Sequence, residues 1–448
     1  GIRDRSPSRG LGDVYKRQHR IVSLLRERSV PLIVRGEFVP GRIPSGGFVP
    51  RAPADRRVEG LAASLIQSGL SVAIRSSRTR TAGHLLLQAV ESSRHGLDVT
   101  QALHAVTRTP AELLGVGHHV GSIAAGKDAD LVVLSADPFV GNSQPVAVYI
   151  DGEICYPRST PTKKDDLQGA VAIRCGSVHT ASKRGVIPGG VMVVDKDGKI
   201  VRIGTAALLE KLPAHVRVID ASDETVVPGL IDAGSHVGLR RDSVDLNDRA
   251  APEAGGGRAT YRIADAVDLT DAQLDAVRRA GITTVLLSPD PRGAFAGQLT
   301  AVKLAGKPLQ DSVLRDPAAL MLGSVNPSAF KKAKSYHDKW IAYEKSEEER
   351  RKKAKEKAIE SLRLADRDRP PGESEPKDGE KKAPEKKGAD KKTVEKPEPH
   401  EEYDVVRRLF HKRLPVVVNI SNELGLASVY STLIEKYGLE TIVYGIGE

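Results

Sequence analysis

Cysteine is nearly absent: Cys155 and Cys175 are the only two in 448 residues. That excludes a disulfide scaffold and any cysteine-rich zinc site. The two read as small buried hydrophobes, with one Cys–Cys bond as the alternative. No run of about eighteen apolar residues occurs, so neither a transmembrane helix nor a membrane partner is expected. A basic helix interleaved with aromatics is also missing, so the formal net charge of +10 does not signal a nucleic-acid partner. Arg3, Arg5, Arg9, Lys16 and Arg17 against Asp4 and Asp13 put +3 of that charge into residues 1–18. Much of the remaining Lys and Arg lies in a stretch where Glu alternates with Lys. What is present is an ordinary soluble composition, 40% hydrophobic. The length suits a large core and two or more domains.

Residues 1–18 begin at Gly1, carry no periodic pattern and resemble a translated adapter. They are read as a non-native or disordered leader, with the native N-terminus and any signal peptide absent. From His19 helices and strands alternate: a strand at Pro31–Val34, a helix at Val58–Ser68, a strand at Leu70–Ile74, then helices at His84–His95 and Val99–Thr107, the last halted by Pro110. This alternation predicts a parallel α/β sheet or barrel. A tight turn at 120–128 leads into strand Leu131–Leu134, and a hairpin turns about Gly152. After a polar linker at 157–166 come several short strands, with Val191–Val194 and Lys199–Ile203 pairing across Asp197-Gly198. A helix at Asp271–Ala280 and a strand at 281–287 follow. Lys345–Leu364 predicts a solvated charged helix with i,i+4 Glu–Lys pairs, and Arg367–Pro399 predicts disorder. Together they read as a solvated insertion on a barrel loop rather than a binding arm. Strands return at Leu414–Val418 and Thr441–Tyr444, with a helix between them.

The stretch Val226-Val227-Pro228-Gly229-Leu230-Ile231-Asp232-Ala233-Gly234-Ser235-His236 reads as a buried strand ending in a small-residue turn that carries one histidine. It closely resembles the first barrel strand of the amidohydrolase superfamily, written Pro-Gly-x-x-Asp-x-His-x-His there. Thr107, Pro110, Leu114, Gly115, Gly126, Lys127, Asp130 and Leu131 also match that family's C-terminal pattern, a helix followed by a return into a small β-sandwich. Gly281-Ile282-Thr283-Thr284-Val285 and Gly297–Leu304 resemble its imidazolonepropionase-like branch.

The resemblance implies an α/β fold, a TIM-like metal-dependent hydrolase barrel plus a small composite β-sandwich. It also implies parts of two tandem copies. Residues 19–117 would hold barrel strands seven and eight of copy one, 118–228 a composite β-sandwich from both copies, and 229–330 strands one to four of copy two. Residues 331–402 would be the charged insertion and 403–448 strands five and six. Such pieces gain by closing into one circularly permuted barrel, because closure removes exposed sheet edges.

By resemblance the activity is metal-dependent hydrolysis of a C–N bond in an amide or cyclic amide. A divalent ion, zinc by family, lowers the pKa of its water to about 7. The ligand positions of strand one fall on Gly234 and His236, that of strand five on Asn419 and that of strand six on Tyr444; the general base of strand eight falls on Ser77. The bridging position of strand four falls near Ala318–Leu322, which holds no Lys or Glu. One ligand of the set remains, so no cofactor and no catalytic residue are expected. His236 reads either as a residual metal ligand or as a hydrogen-bonded strand cap. The expected function is a catalytically silent relative. The alternatives are a protein binding a small polar molecule or acting as a scaffold, and an active hydrolase with an unconventional site built on Lys303 or His236. His118-His119 forms a metal pair by adjacency only, Asp232 reads as a structural hydrogen-bonder, and Gly255–Gly257 as a flexible loop.

Overall fold

The computed structural model describes residues 22–35, 60–76, 83–139, 143–157, 170–213, 216–239, 258–269, 273–291, 293–367, 394–420 and 423–446. The leader, Ser77, Gly255–Gly257 and residues 368–393 of the proposed disordered insertion lie outside the described residues.

In chain order the strands are β1 Leu32–Arg35, β2 Val72–Arg75, β3 Leu131–Leu134, β4 Pro145–Ile150, β5 Glu153–Tyr156, β6 Val171–His179, β7 Val186–Pro188 and β8 Gly190–Val194. They continue as β9 Ile200–Thr205, β10 Arg217–Pro228, β11 Leu230–Ser235, β12 Ile282–Leu287, β13 Gly297–Lys303, β14 Val313–Leu322, β15 Val416–Asn419 and β16 Thr441–Ile446. Eight of these form one nearly closed barrel in the order β11-β12-β13-β14-β15-β16-β1-β2. The first strand in sequence lies beside the last: β1 pairs with β16 in parallel, Leu32 against Val443 and Ile33 against Tyr444.

Short β-branched and apolar runs suit strands covered on both faces, and alternation assigns the faces. Ile33, Ala73, Ile231, Leu286, Met321, Val417, Ile442 and Tyr444 fill the barrel interior, joined by Leu114, Val116 and Val120 from a plug beneath it. Leu32, Val34, Ile74, Leu230, Val285, Val416 and Val443 point outward into the layer beneath the helices.

One strand departs from an all-parallel TIM barrel. β13 runs antiparallel to both β12 and β14. The reason is connection length. Only 288–296 separates β12 from β13, and only 304–312 separates β13 from β14. A parallel crossover needs a dozen or more residues. The reversal points the end of β13, Lys303, toward the N-terminal rim of its neighbours, where Lys303 pairs with Thr284.

The remaining strands form a second sheet in the order β5-β4-β3-β10-β6-β8-β9, with β7 on β6. They run in one hydrogen-bonded path, β10 lying between β3 and β6. The hairpins expected about Gly152 and Asp197-Gly198 form β4–β5 and β8–β9. Their tips meet: Gly198 has φ +74° and a Cβ there would collide with the Asp151 carbonyl, so glycine is required.

Pro110 does not halt a helix. The Val99–Ala105 helix ends before it, and Pro110 sits in the first turn of a separate helix, Arg108–Leu113, where a missing N–H costs nothing. The charged helix starts well before Lys345 and spans Pro327–Arg367. Asn326 Oδ1 caps it by accepting from Ser328 N and Ala329 N, both at 3.1 Å. Its first half is anchored: Phe330 and Ala333 are buried, Tyr336 Oη donates to Asp404 Oδ1 at 2.8 Å, and Arg407 reaches Glu344 at 2.8 Å. No helix among the described residues is long and apolar enough to cross a membrane.

Candidate functional site at the barrel mouth

The C-terminal ends of the parallel strands form the mouth, the end where barrel enzymes carry their reactive groups. Interior phase brings Arg35, Arg75, Asn419 and Tyr444 to that layer, because each lies two residues beyond an interior side chain (Ile33, Ala73, Val417, Ile442). Arg75 is 3% exposed. Its Cζ lies 4.3 Å from the centroid of the Tyr444 ring, and its Nη1 donates to the Ser76 carbonyl at 3.1 Å. Tyr444 is likewise buried.

This pair packs against the Gly234 backbone. A Cβ on Gly234 would lie 2.7 Å from Tyr444 Cε2, 2.8 Å from Arg75 Cδ and 2.9 Å from Tyr444 Oη. Asn419 pairs with Tyr444 in register, and Ile420 N donates to the Tyr444 carbonyl at 2.9 Å. Asn419 Oδ1 is buried and has no hydrogen-bond partner among the described residues. His236 follows β11 directly and is half-buried.

Asp232 belongs to the seam of the barrel. It is fully buried, and its Oδ1 accepts from Ser76 N at 2.9 Å and from Gly234 N at 3.2 Å. Its Oδ2 accepts from Ser76 Oγ at 2.5 Å. These bonds tie the end of β2 to β11, the two strands that end the barrel's hydrogen-bonded path. Burial pushes the Asp232 carboxyl above its ordinary range, against the pull of the Ser76 donors and the Arg75 charge.

Lys303 lies at the opposite rim. Its Nζ donates to Asp128 Oδ2 at 2.6 Å, to Asp130 Oδ1 at 3.1 Å and to Asp151. Lys199 also reaches Asp128, and Lys307 reaches Asp151 at 3.3 Å. This knot joins the barrel to the second sheet. Burial works against the Lys303 ammonium, but the Asp130 and Asp151 charges hold its pKa above the ordinary lysine range. Burial lifts Asp130 to about 6 despite Lys303. Burial also acts to raise Asp128, but the hydrogen bonds from Lys199 and Lys303 bring it below its ordinary value. His118 and His119 have ring centroids 4.1 Å apart, and His119 Nδ1 is 3.9 Å from Asp128, so the pair belongs to this rim and not to the mouth.

Both cysteines are free; burial pushes the Cys155 thiol to about 11 and the Cys175 thiol to about 12. Among the described residues no group of three or more His, Cys, Asp or Glu side chains is placed to hold a metal ion.

Of the residues singled out in the sequence, the structure brings Gly234, Asn419 and Tyr444 together, with His236 two residues beyond Gly234 in the chain. Arg35 and Arg75 were not singled out. Their signal was readable: Leu32-Ile33-Val34-Arg35 and Val72-Ala73-Ile74-Arg75 end in arginine at the same phase.

Residues 62–155 match the model of the amidohydrolase family. The chain is 45% identical over 71 residues to the amidohydrolase tasK of Hapsidospora irregularis, which is 16% of this chain and 7% of that protein. It is 34% identical over 116 residues to the imidazolonepropionase of Acidiphilium cryptum, 22% of this chain and 28% of that one. The chain thus matches well under a third of either relative's length. A crystal structure of an amidohydrolase from Thermotoga maritima superposes with a TM-score of 0.39 at 16% identity, covering 61% of this chain and 63% of that chain.

Proposed function

We propose that this chain forms an amidohydrolase-type barrel that has given up metal-assisted C–N hydrolysis and keeps its mouth as a binding site for a small polar molecule. The observation that carries this reading is the packing of Arg75 and Tyr444 against Gly234. A hydrolytic zinc ion needs three or more N or O ligands and an open position. The ligand positions here offer one imidazole, His236, beside a glycine, a neutral amide and a phenol. The donor set does not fit the metal. A buried guanidinium among these positions opposes a dication further, because like charges repel strongly where water is excluded.

The pairing of β1 with β16 supports reading residues 19–157 and 167–448 as two pieces of one circularly permuted unit from tandem copies. The match over residues 62–155 supports assigning β2 to the eighth barrel strand.

The test is turnover of a panel of cyclic amides by the 448-residue chain, with added zinc or manganese and with chelator. The expected result is no rate above the uncatalysed one in either condition. Metal-dependent turnover abolished by His236→Ala would overturn the reading. Turnover that persists in chelator would also overturn it, in favour of an unconventional active site.

A further inference from the structure

We propose that a cleft at the N-terminal end of the barrel binds a small monocarboxylate with an apolar body, its carboxylate held by Arg315. The cleft lies at the opposite end of the strands from Arg75 and Tyr444, so this inference goes beyond the reading of the mouth. Its volume is about 520 Å³, inside the range of roughly 300–1,000 Å³ usual for small-molecule sites. Pro31 leads into β1, Pro415 into β15 and Leu439 into β16, and these starts of three adjacent strands form one wall. The plug helix Arg108–Leu113 and the segment after it form the other. Arg315, the third residue of β14, lines the same space.

Arg315 is half-buried and held at one nitrogen: Nη1 donates to the Leu114 carbonyl at 2.8 Å. The same nitrogen lies against Gly115, where any Cβ would collide with it, so this close approach needs the glycine at φ +67°. The remaining N–H groups of Arg315 have no hydrogen-bond partner among the described residues, and the side chain makes no ion pair there. A guanidinium fixed at one nitrogen keeps planar N–H pairs that match the two oxygens of a carboxylate.

The charge balance favours a single negative charge. Arg28 and Glu440 are exposed and line the cleft without an ion pair among the described residues. Glu112 lines it too, but accepts from Arg108 Nε at 2.7 Å. Two arginines against Glu440 leave one positive charge unanswered, which suits a monocarboxylate better than a phosphate dianion. The walls beside those charges are apolar: Leu113 and Ile434 are half-buried and Leu439 is buried. Apolar lining with a few convergent polar groups is the usual make-up of a small-molecule site.

Isothermal titration calorimetry of the 448-residue chain tests this, with octanoate, hexanoate and octylamine as separate probes at matched ionic strength. Saturable one-to-one binding of octanoate is expected. Hexanoate should bind roughly tenfold more weakly, because two fewer methylenes are buried. Octylamine, with the same chain length and the opposite charge, should not saturate. Arg315→Gln should weaken octanoate binding by about tenfold or more, and Arg315→Lys by less, since the charge stays and the fork is lost. Arg28→Gln, at an exposed position, should weaken it about two- to fivefold. Should Arg315→Gln fail to fold, Arg28→Gln and the comparison of octanoate with octylamine carry the test. Absence of octanoate binding by a cooperatively folded chain would overturn the proposal. Equal affinity for octylamine, equal affinity for the two chain lengths, or unchanged octanoate affinity in either folded arginine variant would overturn it as well.

Discussion

Arg75 and Tyr444 lie on different strands of the barrel, and the guanidinium carbon sits 4.3 Å from the centre of the phenol ring. The pair closes over Gly234 at the end of β11. Gly234→Ala should therefore cost about 1–3 kcal/mol, the range for overpacking a filled interior. Tyr444→Leu in the same background should recover part of that loss, because it removes two of the three atoms a Cβ would meet. Urea denaturation of the two single variants and the double variant measures the coupling. A neutral Gly234→Ala would show that the space is open.

The seam gives a second expectation. Ser76→Ala removes a donor to the buried Asp232 carboxylate and should destabilise by about 1–3 kcal/mol. Asp232→Asn should cost a similar amount. The double variant should cost less than the sum, by roughly 0.5–3 kcal/mol, since both changes break one bond. Strict additivity would mean that the bond does not hold β2 to β11.

At the other rim, the two lysines on Asp128 should behave differently. Lys303→Met leaves Asp128, Asp130 and Asp151 without their buried cation and should cost about 3–5 kcal/mol. Lys199 is 40% exposed, and Lys199→Met should cost about 1 kcal/mol or less. Equal effects would contradict the placement of Lys303. A folded, stable Lys303→Met chain that lost an activity would instead give Lys303 the chemical role that the knot denies it.

The pH dependence follows from Asp130. Its folded-state value, about 6, lies above the ordinary 3.8, so the folded chain holds this proton more tightly than the unfolded one. The contribution is fully present below pH 3.8 and is lost as pH rises toward 6. Asp128, held low by its lysines, acts with the opposite sign, losing stability as pH falls. Asp130→Asn removes only the first effect. Measured from pH 4 to pH 6.5, its stability relative to the parent chain should improve with rising pH, by roughly 1–3 kcal/mol across the window. A flat difference would place Asp130 at an ordinary carboxylate pKa.

Much of the fold was legible because strands covered on both faces leave continuous apolar runs, as in Leu32-Ile33-Val34 and Val416-Val417-Val418, and because Gly152 and Asp197-Gly198 mark hairpins. The reversal of β13 was not legible from pattern. Gly297–Lys303 looks the same in either direction, and only the short connections on both sides decide it. Motif spacing singled out Gly234, Asn419 and Tyr444, which the fold brings together at one strand end. The occupancy of that space was not legible, because Arg75 meets Tyr444 across a gap of more than 360 residues in sequence. Lys303 stands in a strand that reads as barrel wall, and nothing local reveals that three aspartates converge on it from the second sheet.

The most direct test of the central claim is metal stoichiometry. The chain is dialysed against zinc and manganese, and the bound ion is counted by mass spectrometry. Only traces should remain on the proposed reading, in which the strand ends offer one imidazole, His236, beside the buried Arg75 guanidinium. One ion per chain or more, lost in His236→Ala, would contradict the account.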